Sequence, residues 1–307
     1  MSKKKKIVAI VLAAAVIASA AGVGIGIGIR NASDSVDFGE IVIDGIPERK
    51  EGTTRVMSFN VRCKSDPEGS INNRSKLVTA ILDQYAPDSF GVQEATAKWM
   101  RILKKELGDR YACVGQPRDR LGPFSEYSAV FYLKDKYTVL DSGTFWLSET
   151  PEVKYSVSYD SACRRIASWA MLEDKETGLR YTHINTHLDH VLESTRVGQA
   201  GVLLDYLKEF QEKGTVVITG DFNAYESESV YTEMVKISDD VSKTAKTAYS
   251  GITFHNYGKK EDKGQGAIDY IFVTKDTEAE NYKIIDNTVK GMYPSDHYPI
   301  SADIYLK

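Results

Sequence analysis

Polar side chains that can transfer protons or bind cations stand at the ends of predicted strands. Each adjoins a short run rich in Val, Ile, Tyr or Phe, which is typical of a buried strand. The residues are Asn60, Glu94, His187, Asp221, Asn223, Asp269, Asp296 and His297. Because an α/β sheet exposes its site at strand ends, we expect these carboxylates, amides and imidazoles to meet there.

Three of these residues are candidates for metal binding. Glu94, Asp296 and the side-chain oxygen of Asn60 are hard oxygen ligands. Such a set suits Mg²⁺ or Mn²⁺ and not Zn²⁺. The sequence has no HExxH motif and no cluster of Cys and His that would indicate a zinc site.

Alternating strand and helix signals predict the elements that position these groups. The predicted strands cover residues 55–61, 88–93, 128–132, 166–172, 179–186, 215–219, 268–273 and 300–306. The predicted helices cover residues 73–85, 96–107, 195–212 and 229–236. Several strands, such as VVIT and YIFV, are apolar on both faces, which indicates that both faces are covered. We expect one α/β domain with two packed sheets.

Composition supports a chain that buries a core. Of 307 residues, 42% are apolar and 27% are charged, which excludes disordered, collagen-like and disulfide-knot proteins. The three cysteines, Cys63, Cys113 and Cys163, form no CxxC pair. Since at most one internal disulfide can form, we do not expect disulfides to hold the domain together.

The charges are unevenly distributed. The net charge is −4, but residues 1–30 carry five basic side chains and no acidic one. The remainder has 34 basic against 43 acidic side chains, a balance of −9. This lacks the broad basic surface of a tight non-specific nucleic-acid binder. The domain can still act on phosphates if a metal supplies positive charge locally.

The residue pattern at the amino terminus predicts that the rest of the chain is exported. Four lysines at positions 3–6 precede residues 7–29, which are uncharged and contain one polar side chain, Ser19. A helix of this length would cross the membrane, with the lysines cytoplasmic and the rest of the chain extracellular. The alternative is a signal peptide cleaved after Ala20 in an A-x-A site, which would release a secreted protein. The apolar run continues past Ala20, which favours the single-pass anchor in the cell membrane.

Three segments follow from these patterns. Residues 1–30 form the anchor or signal peptide, and residues 31–52 are polar and are predicted to be a linker. Residues 53–307 form the domain.

The order of the motifs resembles a known family. SFN, QE, NTHLDH, GDFNA, IDYIFV and SDHYPI occur in that order, each at a predicted strand end. This is similar to the endonuclease/exonuclease/phosphatase superfamily, from about residue 55 to residue 306. The resemblance implies a four-layer α/β/β/α sandwich that hydrolyses phosphoesters with a divalent metal, Mg²⁺ or Mn²⁺.

The resemblance also implies roles for the metal and water-activating residues. Glu94 matches the family's metal-binding glutamate, with Asn60 beside it and Asp296 near the metal. Asp221 matches the aspartate that orients or deprotonates the attacking water. Asn223 matches the amide that holds the phosphate or the nucleophile.

The resemblance further implies two pairs of histidine and carboxylate. His297 matches the histidine that contacts phosphoryl oxygens, and Asp269 matches the carboxylate that orients it. His187 matches the second histidine, and Glu126 stands where its partner should be. A neighbouring anion favours the imidazolium, so both histidine pKa values are expected to rise. Which histidine acts as the general acid stays open.

Two further residues are expected to contact substrate. Arg165 matches the family's phosphate-binding arginine, although its neighbour Arg164 could be mistaken for it. His255 precedes Asp269 in a loop and is expected either to line the substrate entrance or to be exposed.

These features rank the candidate functions. First comes an extracellular metal-dependent phosphodiesterase or nuclease, followed by a phosphomonoesterase for a sugar or inositol phosphate. A lipid phosphodiesterase is third, because no apolar hairpin for entering a bilayer is evident. A membrane-tethered binding module on an inactive scaffold ranks last, since the site is complete. The partners are a phosphoester substrate and, through residues 7–29, a membrane; no protein partner is implied.

Overall fold

Strands and helices alternate along the chain in the computed structural model, which describes residues 35–120 and 122–307. The strands are β1 (Thr53–Asn60), β2 (Ser89–Thr96), β3 (Tyr111–Val114), β4 (Glu126–Leu133), β5 (Tyr137–Trp146), β6 (Ile166–Asp174), β7 (Arg180–His187), β8 (Thr215–Asp221), β9 (Ser238–Asp240), β10 (Thr247–Ala248), β11 (Asp269–Thr274), β12 (Ala279–Ile284) and β13 (Ile300–Tyr305). The helices are α1 (Ile71–Tyr85), α2 (Ala97–Leu107), α3 (Glu193–Gln211), α4 (Ser229–Ile237) and α5 (Val241–Thr244).

All eight predicted strands and all four predicted helices are present. Their ends differ from the predicted ends by at most three residues. Five strands and the short helix α5 were not predicted. The longest of these, β5, has mostly exposed or half-buried residues in its middle, so it lacks the apolar run that signals a strand.

The strands form two sheets. The first sheet has seven strands in the order β10-β12-β13-β1-β2-β4-β3, and the second has six in the order β5-β6-β7-β8-β11-β9. In the first sheet β1 pairs in parallel with β2, and in the second β7 pairs in parallel with β8. Parallel neighbours end at the same edge, so each sheet brings two strand ends together.

Apolar side chains fill the spaces on both faces of each sheet. Val56 and Val130 of the first sheet pack with Val217 and Ile271 of the second. Helices α1 and α2 pack on the outer face of the first sheet, and α3 and α4 on the outer face of the second. This mixed α/β fold with two sheets is consistent with the expected α/β/β/α sandwich. The three cysteines are free.

A buried polar layer joins the two sheets beneath the site. Asn185 on β7 donates to the carbonyls of Val92 (2.9 Å) and Ala129 (3.1 Å) in the first sheet. Its oxygen accepts hydrogen bonds from Gln93 (2.6 Å) and from the Thr219 hydroxyl (3.0 Å). Directional bonds of this kind fix one stagger of the sheets, whereas apolar contacts alone tolerate sliding.

His183 belongs to the same layer. Its imidazole bonds to the hydroxyls of Ser89 (2.7 Å) and Thr219 (2.8 Å) and is fully buried. Burial lowers its pKa to about 3, so it is a neutral structural residue.

Gly91 gives a test of this layer. A Cβ at Gly91 would overlap the Asn185 oxygen and the Thr219 hydroxyl. We expect Gly91→Ala to lower the free energy of unfolding by at least about 1–3 kcal/mol, measured by urea denaturation. The matched control is Gly201→Ala in α3, where a Cβ meets nothing within 4 Å. Gly201 is an exposed helix residue, so its replacement should stabilise by about 0.5–1 kcal/mol. Equal effects at the two positions would contradict the proposed packing.

Part of the predicted linker packs onto the domain. Residues 35–52 form no helix or strand, but Phe38 and Ile43 are 6% and 5% exposed. Gln84 on α1 donates to the Ile41 carbonyl (2.7 Å) and accepts from the Ile43 N–H (3.0 Å). The sequence suggested a polar spacer because three isoleucines and a phenylalanine are scattered among charged residues.

The predicted membrane segment, residues 7–29, lies outside the described residues, as does the alternative cleavage site after Ala20. Within residues 35–120 and 122–307, no helix has both the length and the apolar character needed to cross a membrane.

Candidate active site

A cleft of about 500 Å³ opens where β1 and β2 of the first sheet meet β7, β8 and β11 of the second. Eight predicted site residues line it: Glu94, Glu126, Arg165, His187, Asp221, Asn223, Asp296 and His297. Asn60 and Asp269 support the cleft through hydrogen bonds to lining residues. The structure therefore brings together ten of the eleven predicted residues, and only His255 lies apart.

Strand register places the central groups side by side. His187 is the register partner of Asp221, and Asp221 is the register partner of Asp269. Glu94 lies where the register between β2 and β4 shifts, and its φ is +56°. Asn223, two residues beyond Asp221, has φ +49°. Left-handed conformations are uncommon for these residues and occur here at the points where side chains turn toward the cleft.

Asp221 lies at the centre of the hydrogen bonds. Its Oδ2 accepts from Asn60 Nδ2 (2.9 Å), and its Oδ1 accepts from the Asn223 N–H (2.9 Å). Nε2 of His187 is 3.5 Å from Oδ2, and Nε2 of His297 is 3.7 Å from it. Burial, assisted by the nearby charge of Asp269, raises the Asp221 pKa to about 7. A carboxyl group with this pKa can accept a proton near neutral pH.

His297 and Asp269 form the predicted pair. His297 Nδ1 donates to Asp269 Oδ2 at 2.9 Å, and both residues are buried. Burial opposes the charged imidazole, but the carboxylates of Asp269 and Asp221 outweigh it and raise the His297 pKa to about 10. His297 is therefore a cation at neutral pH, facing the cleft.

The predicted pair of Glu126 and His187 is wrong. Glu126 instead forms an ion pair with Arg118 (2.8 Å). His187 Nε2 accepts from Asn223 Nδ2 (3.0 Å), which leaves its Nδ1 buried and without a partner in the described part of the chain. Burial and the nearby Arg165 guanidinium lower the His187 pKa well below its usual value, opposite to the expected direction. The imidazole is therefore neutral.

Arg165 is buried with unused donors. The residue is 5% exposed, and its Nη2 donates to His190 Nδ1 at 3.1 Å. Its Nε and Nη1 have no partner among the described residues. Buried donors without partners are costly, so a guanidinium in this state is suited to an anion in the cleft. Arg164 instead bonds to the Tyr155 carbonyl (2.6 Å) and to Asp119 (3.3 Å).

Comparison with known proteins agrees with this geometry. A sequence model of the endonuclease/exonuclease/phosphatase family matches residues 57–297. The chain belongs to this family. Its members are phosphoester hydrolases, and the expected resemblance is confirmed. A search among curated proteins finds no significant match.

Solved structures extend the comparison. A family protein from Bacteroides vulgatus is 34% identical, with a TM-score of 0.77, covering 83% of this chain and 99% of its own. A mannosyl-6-phosphatase from Bacteroides thetaiotaomicron is 28% identical, with a TM-score of 0.75, covering 82% and 99%. TDP2 from D. rerio, solved with a single-strand DNA product, is 17% identical with a TM-score of 0.66, covering 83% and 99%, and shows the fold alone.

Members of the endonuclease/exonuclease/phosphatase family generally use divalent metals, and Glu94 and Asp296 fit such an ion. Their side chains are 13% and 6% exposed and line the cleft. Burial and the neighbouring Glu94 charge raise the pKa of Asp296, outweighing the opposite effect of the His297 and Arg62 charges. Oxygen donors of this kind suit Mg²⁺ or Mn²⁺.

Asn60 hydrogen-bonds to two carboxylates of the cleft. Its amide N–H₂ donates to Glu94 Oε1 (3.2 Å) and to Asp221 Oδ2 (2.9 Å). Its oxygen, the expected metal ligand, already accepts from the Arg62 N–H (3.0 Å). Asn60 therefore aligns the two carboxylates with each other.

Among the residues that the structure describes, two groups of three ligand-type side chains lie close together: Asp221, Asp269 and His297, and Cys163, Asp189 and His190. The first group is held by the His297–Asp269 hydrogen bond. In the second, Asp189 already accepts from three backbone N–H groups and the Ser161 hydroxyl, which stiffens the loop after β7. Glu94 and Asp296 remain the better candidates for the metal.

His255 does not lie at the entrance of the cleft. It is 1% exposed, and its ring stacks on Tyr298 with 3.7 Å between centroids. Its Nδ1 accepts from the Gly258 N–H (3.0 Å). Phe254 and Asn256 line the cleft in its place. Both expectations for His255 are therefore wrong, because alternate residues of this loop point inward.

Sequence reasoning missed two arginines of the cleft, Arg62 and Arg118. Arg62 is two residues beyond Asn60 in SFNVR, and a cation so close to an anionic motif was an available signal. Arg118 gave no such signal, because its contact with Glu126 arises from a turn that pairs Pro117 with Tyr127.

The neighbouring arginines make a matched test. We expect Arg165→Ala to raise KM by about tenfold or more, since hydrogen bonds to charged groups contribute about 1.5–3 kcal/mol. Arg164→Ala should change KM little, because the Arg164 guanidinium is engaged by Tyr155 and Asp119. Steady-state kinetics of both variants measure this. A larger rise in KM for Arg164→Ala than for Arg165→Ala would assign the phosphate contact to Arg164 instead.

Proposed function

We propose that this protein is a divalent-metal-dependent hydrolase of a phosphate monoester carried by a group about the size of a sugar. The observation that carries the proposal is the buried Arg165, with two unpartnered N–H groups, in a cleft that also holds Asp221 and His297. A phosphate monoester carries nearly two charges at pH 7, more than a diester, and so makes fuller use of these donors.

The residues would act as follows. Asp221, which is held in place by Asn60 and the Asn223 N–H, accepts the proton of the attacking water as the water oxygen bonds to phosphorus and the bond to the ester oxygen breaks. The leaving oxygen takes its proton from solvent. His297 presents positive charge to the phosphoryl oxygens, and Arg165 binds them through its unpartnered donors. Glu94 and Asp296 would hold the metal, which supplies further positive charge where negative charge develops.

The size of the cleft and a relative support a monoester. A volume of about 500 Å³ is typical of a pocket for a small ligand. The 28% identical structure from Bacteroides thetaiotaomicron is a mannosyl-6-phosphatase, so a sugar phosphate is the first substrate class to test. This reverses the order expected from sequence, where a phosphodiesterase or nuclease came first.

A phosphodiester is the second candidate, favoured by one observation. Lys260 lies beside Phe254, which lines the cleft, with its Nζ 5.2 Å from the ring centroid. A cation at this position could contact the second ester group of a diester or the next phosphate of a nucleic acid.

Two substrates with the same leaving group separate these candidates. Purified residues 31–307 would be assayed with p-nitrophenyl phosphate and bis-p-nitrophenyl phosphate in Mg²⁺ or Mn²⁺, and with mannose 6-phosphate and plasmid DNA. We expect kcat/KM for the monoester to exceed that for the diester. A preference for the diester, accompanied by DNA cleavage, would favour the second candidate. No turnover of any phosphoester would contradict both and favour an inactive binding module.

We also propose that the domain faces the outside of the cell, anchored through residues 7–29. The supporting observation is the cluster of four lysines before 23 uncharged residues. The full-length chain is expected to stay with membranes through high-salt and carbonate washes, and protease added to intact cells should digest residues 53–307. A mature chain that begins at Ala21 in the medium would show cleavage instead. Mass spectrometry of the amino terminus measures this.

A further inference from the structure

Arg62 reaches three carboxylates at the metal end of the cleft. Its Nε is 3.1 Å from Asp66 Oδ2 and 3.5 Å from Asp296 Oδ2. Its Nη1 is 4.0 Å from Glu94 Oε2. The contact with Asp66 has the length of a hydrogen bond, whereas the other two are longer ion pairs.

The structure holds the Arg62 side chain in this position. The backbone φ is +59°, and the Arg62 carbonyl accepts from Trp99 Nε1 (2.8 Å). Asp66, which anchors the guanidinium, also accepts from the Tyr257 hydroxyl at 2.9 Å. The Arg62 side chain is 27% exposed, so solvent screens its charge only in part.

The negative charge of Glu94 and Asp296 is not neutralised by neighbouring bases that the structure describes and can be balanced by one divalent cation. Within residues 35–120 and 122–307, Arg62 is the one basic residue within 4.0 Å of either carboxylate. Arg74 lies nearby, but its guanidinium donates to five backbone carbonyls. His297 is bonded to Asp269. Asp66 balances Arg62, so Glu94 and Asp296 contribute two further negative charges.

We propose that Arg62 is a positioning residue that acts as a built-in counter-charge to Glu94 and Asp296 and sets the affinity of the site for its divalent metal. The inference rests on the proposed metal-dependent function. In the metal-free protein Arg62 holds the two carboxylates near each other despite their repulsion. Arg62 makes no short hydrogen bond to either carboxylate, and Glu94 Oε1 and Oε2 each accept one hydrogen bond, from Asn60 (3.2 Å) and from the Cys63 N–H (2.9 Å). Each oxygen therefore keeps a lone pair for a metal, which must bind against the positive charge of Arg62.

Two substitutions of similar length separate charge from packing. Arg62→Met removes the charge and keeps an unbranched stem, whereas Arg62→Lys keeps the charge. Titration calorimetry with Mn²⁺, without substrate, measures the dissociation constant of each protein. We expect Arg62→Met to bind Mn²⁺ at least about tenfold more tightly than wild type, because it removes a unit positive charge that lies 3.5 Å from Asp296 Oδ2 and 4.0 Å from Glu94 Oε2. Arg62→Lys should stay within about threefold of wild type.

Thermal melting gives a second readout. Without metal, Arg62→Met should melt at a lower temperature than wild type, because two carboxylates lose their counter-charge. Mn²⁺ should raise its melting temperature more than it raises that of wild type, in line with the tighter binding. Should Arg62→Met not fold without metal, Arg62→Gln, which keeps a donor for Asp66, would replace it in both measurements.

The outcomes distinguish this inference from the function on which it rests. Equal or weaker Mn²⁺ binding by the uncharged variants would overturn the role of Arg62 and leave the metal-dependent function intact. A rise in KM with no change in Mn²⁺ affinity would overturn it too, and would make Arg62 a substrate ligand. No Mn²⁺ binding by wild type or any variant would contradict the metal-dependent function itself.

Discussion

Asp221→Asn is expected to lower kcat by about 10²- to 10⁴-fold without lowering the melting temperature. The activity falls because an amide cannot accept the proton of the attacking water. The stability is kept because burial raises the Asp221 pKa, which means that the folded protein already disfavours the ionised carboxylate. Replacing that charge with a neutral group of the same shape therefore removes a penalty, which offsets the hydrogen bond lost where the amide N–H₂ faces the Asn60 amide or the Asn223 N–H.

The experiment compares steady-state kinetics and thermal melting with those of a control. Asp205→Asn makes the same chemical change at a side chain that is 78% exposed and lies on α3, and it should alter neither quantity. If Asp221→Asn kept more than about a tenth of the wild-type kcat, the assignment of Asp221 as the proton acceptor would be wrong. A large drop in melting temperature would instead indicate a structural role.

Removal of divalent metal is the second large effect. Dialysis against a chelator is expected to abolish turnover, and Mg²⁺ or Mn²⁺ should restore it where Zn²⁺ does not. The reason is that Glu94 and Asp296 offer oxygen ligands alone, whereas Zn²⁺ sites draw on Cys and His. Activity measured against the concentration of each added metal tests this. Full turnover in excess chelator would contradict the proposed dependence on a divalent metal.

The two glutamates of the cleft locate the metal. Glu94→Gln should raise the Mg²⁺ concentration needed for half-maximal activity by at least about tenfold, because it removes a charged ligand. Glu126→Gln makes the same change in the same cleft, at a residue that pairs with Arg118. It should leave the Mg²⁺ requirement near that of wild type. Equal shifts for both variants would place the metal between them.

The central site could be predicted because strand ends carry its residues. Asp221 is the last residue of VVITGD and Asp269 is the first residue of DYIFVT, so a carboxylate at one end of an apolar run marked both. The family resemblance then supplied the pairing of Asp269 with His297, which the structure has at 2.9 Å.

Partners and orientations that depend on loops could not be predicted. Glu126 opens β4 and was expected to reach His187, but Arg118, from the turn before that strand, takes it instead. His255 lies in a loop without periodicity, where no pattern indicates which side chains point inward. The expected rise of the His187 pKa depended on the wrong partner; without the pairing with Glu126, burial and the Arg165 charge lower this pKa.

The polar layer between the sheets links the docking of the two sheets to enzymatic activity. Asn60 and Glu94 belong to the first sheet, whereas His187, Asp221 and Asp269 belong to the second. The first sheet takes its strands from both ends of the domain, and the second takes most of its strands from the middle. A fragment that lacks either end of the domain therefore lacks strands of the first sheet, and a chain with both sheets formed but not docked would be inactive. Turnover thus requires the two sheets to be docked, with Asn185 bonded to Val92 and Ala129 of the first sheet.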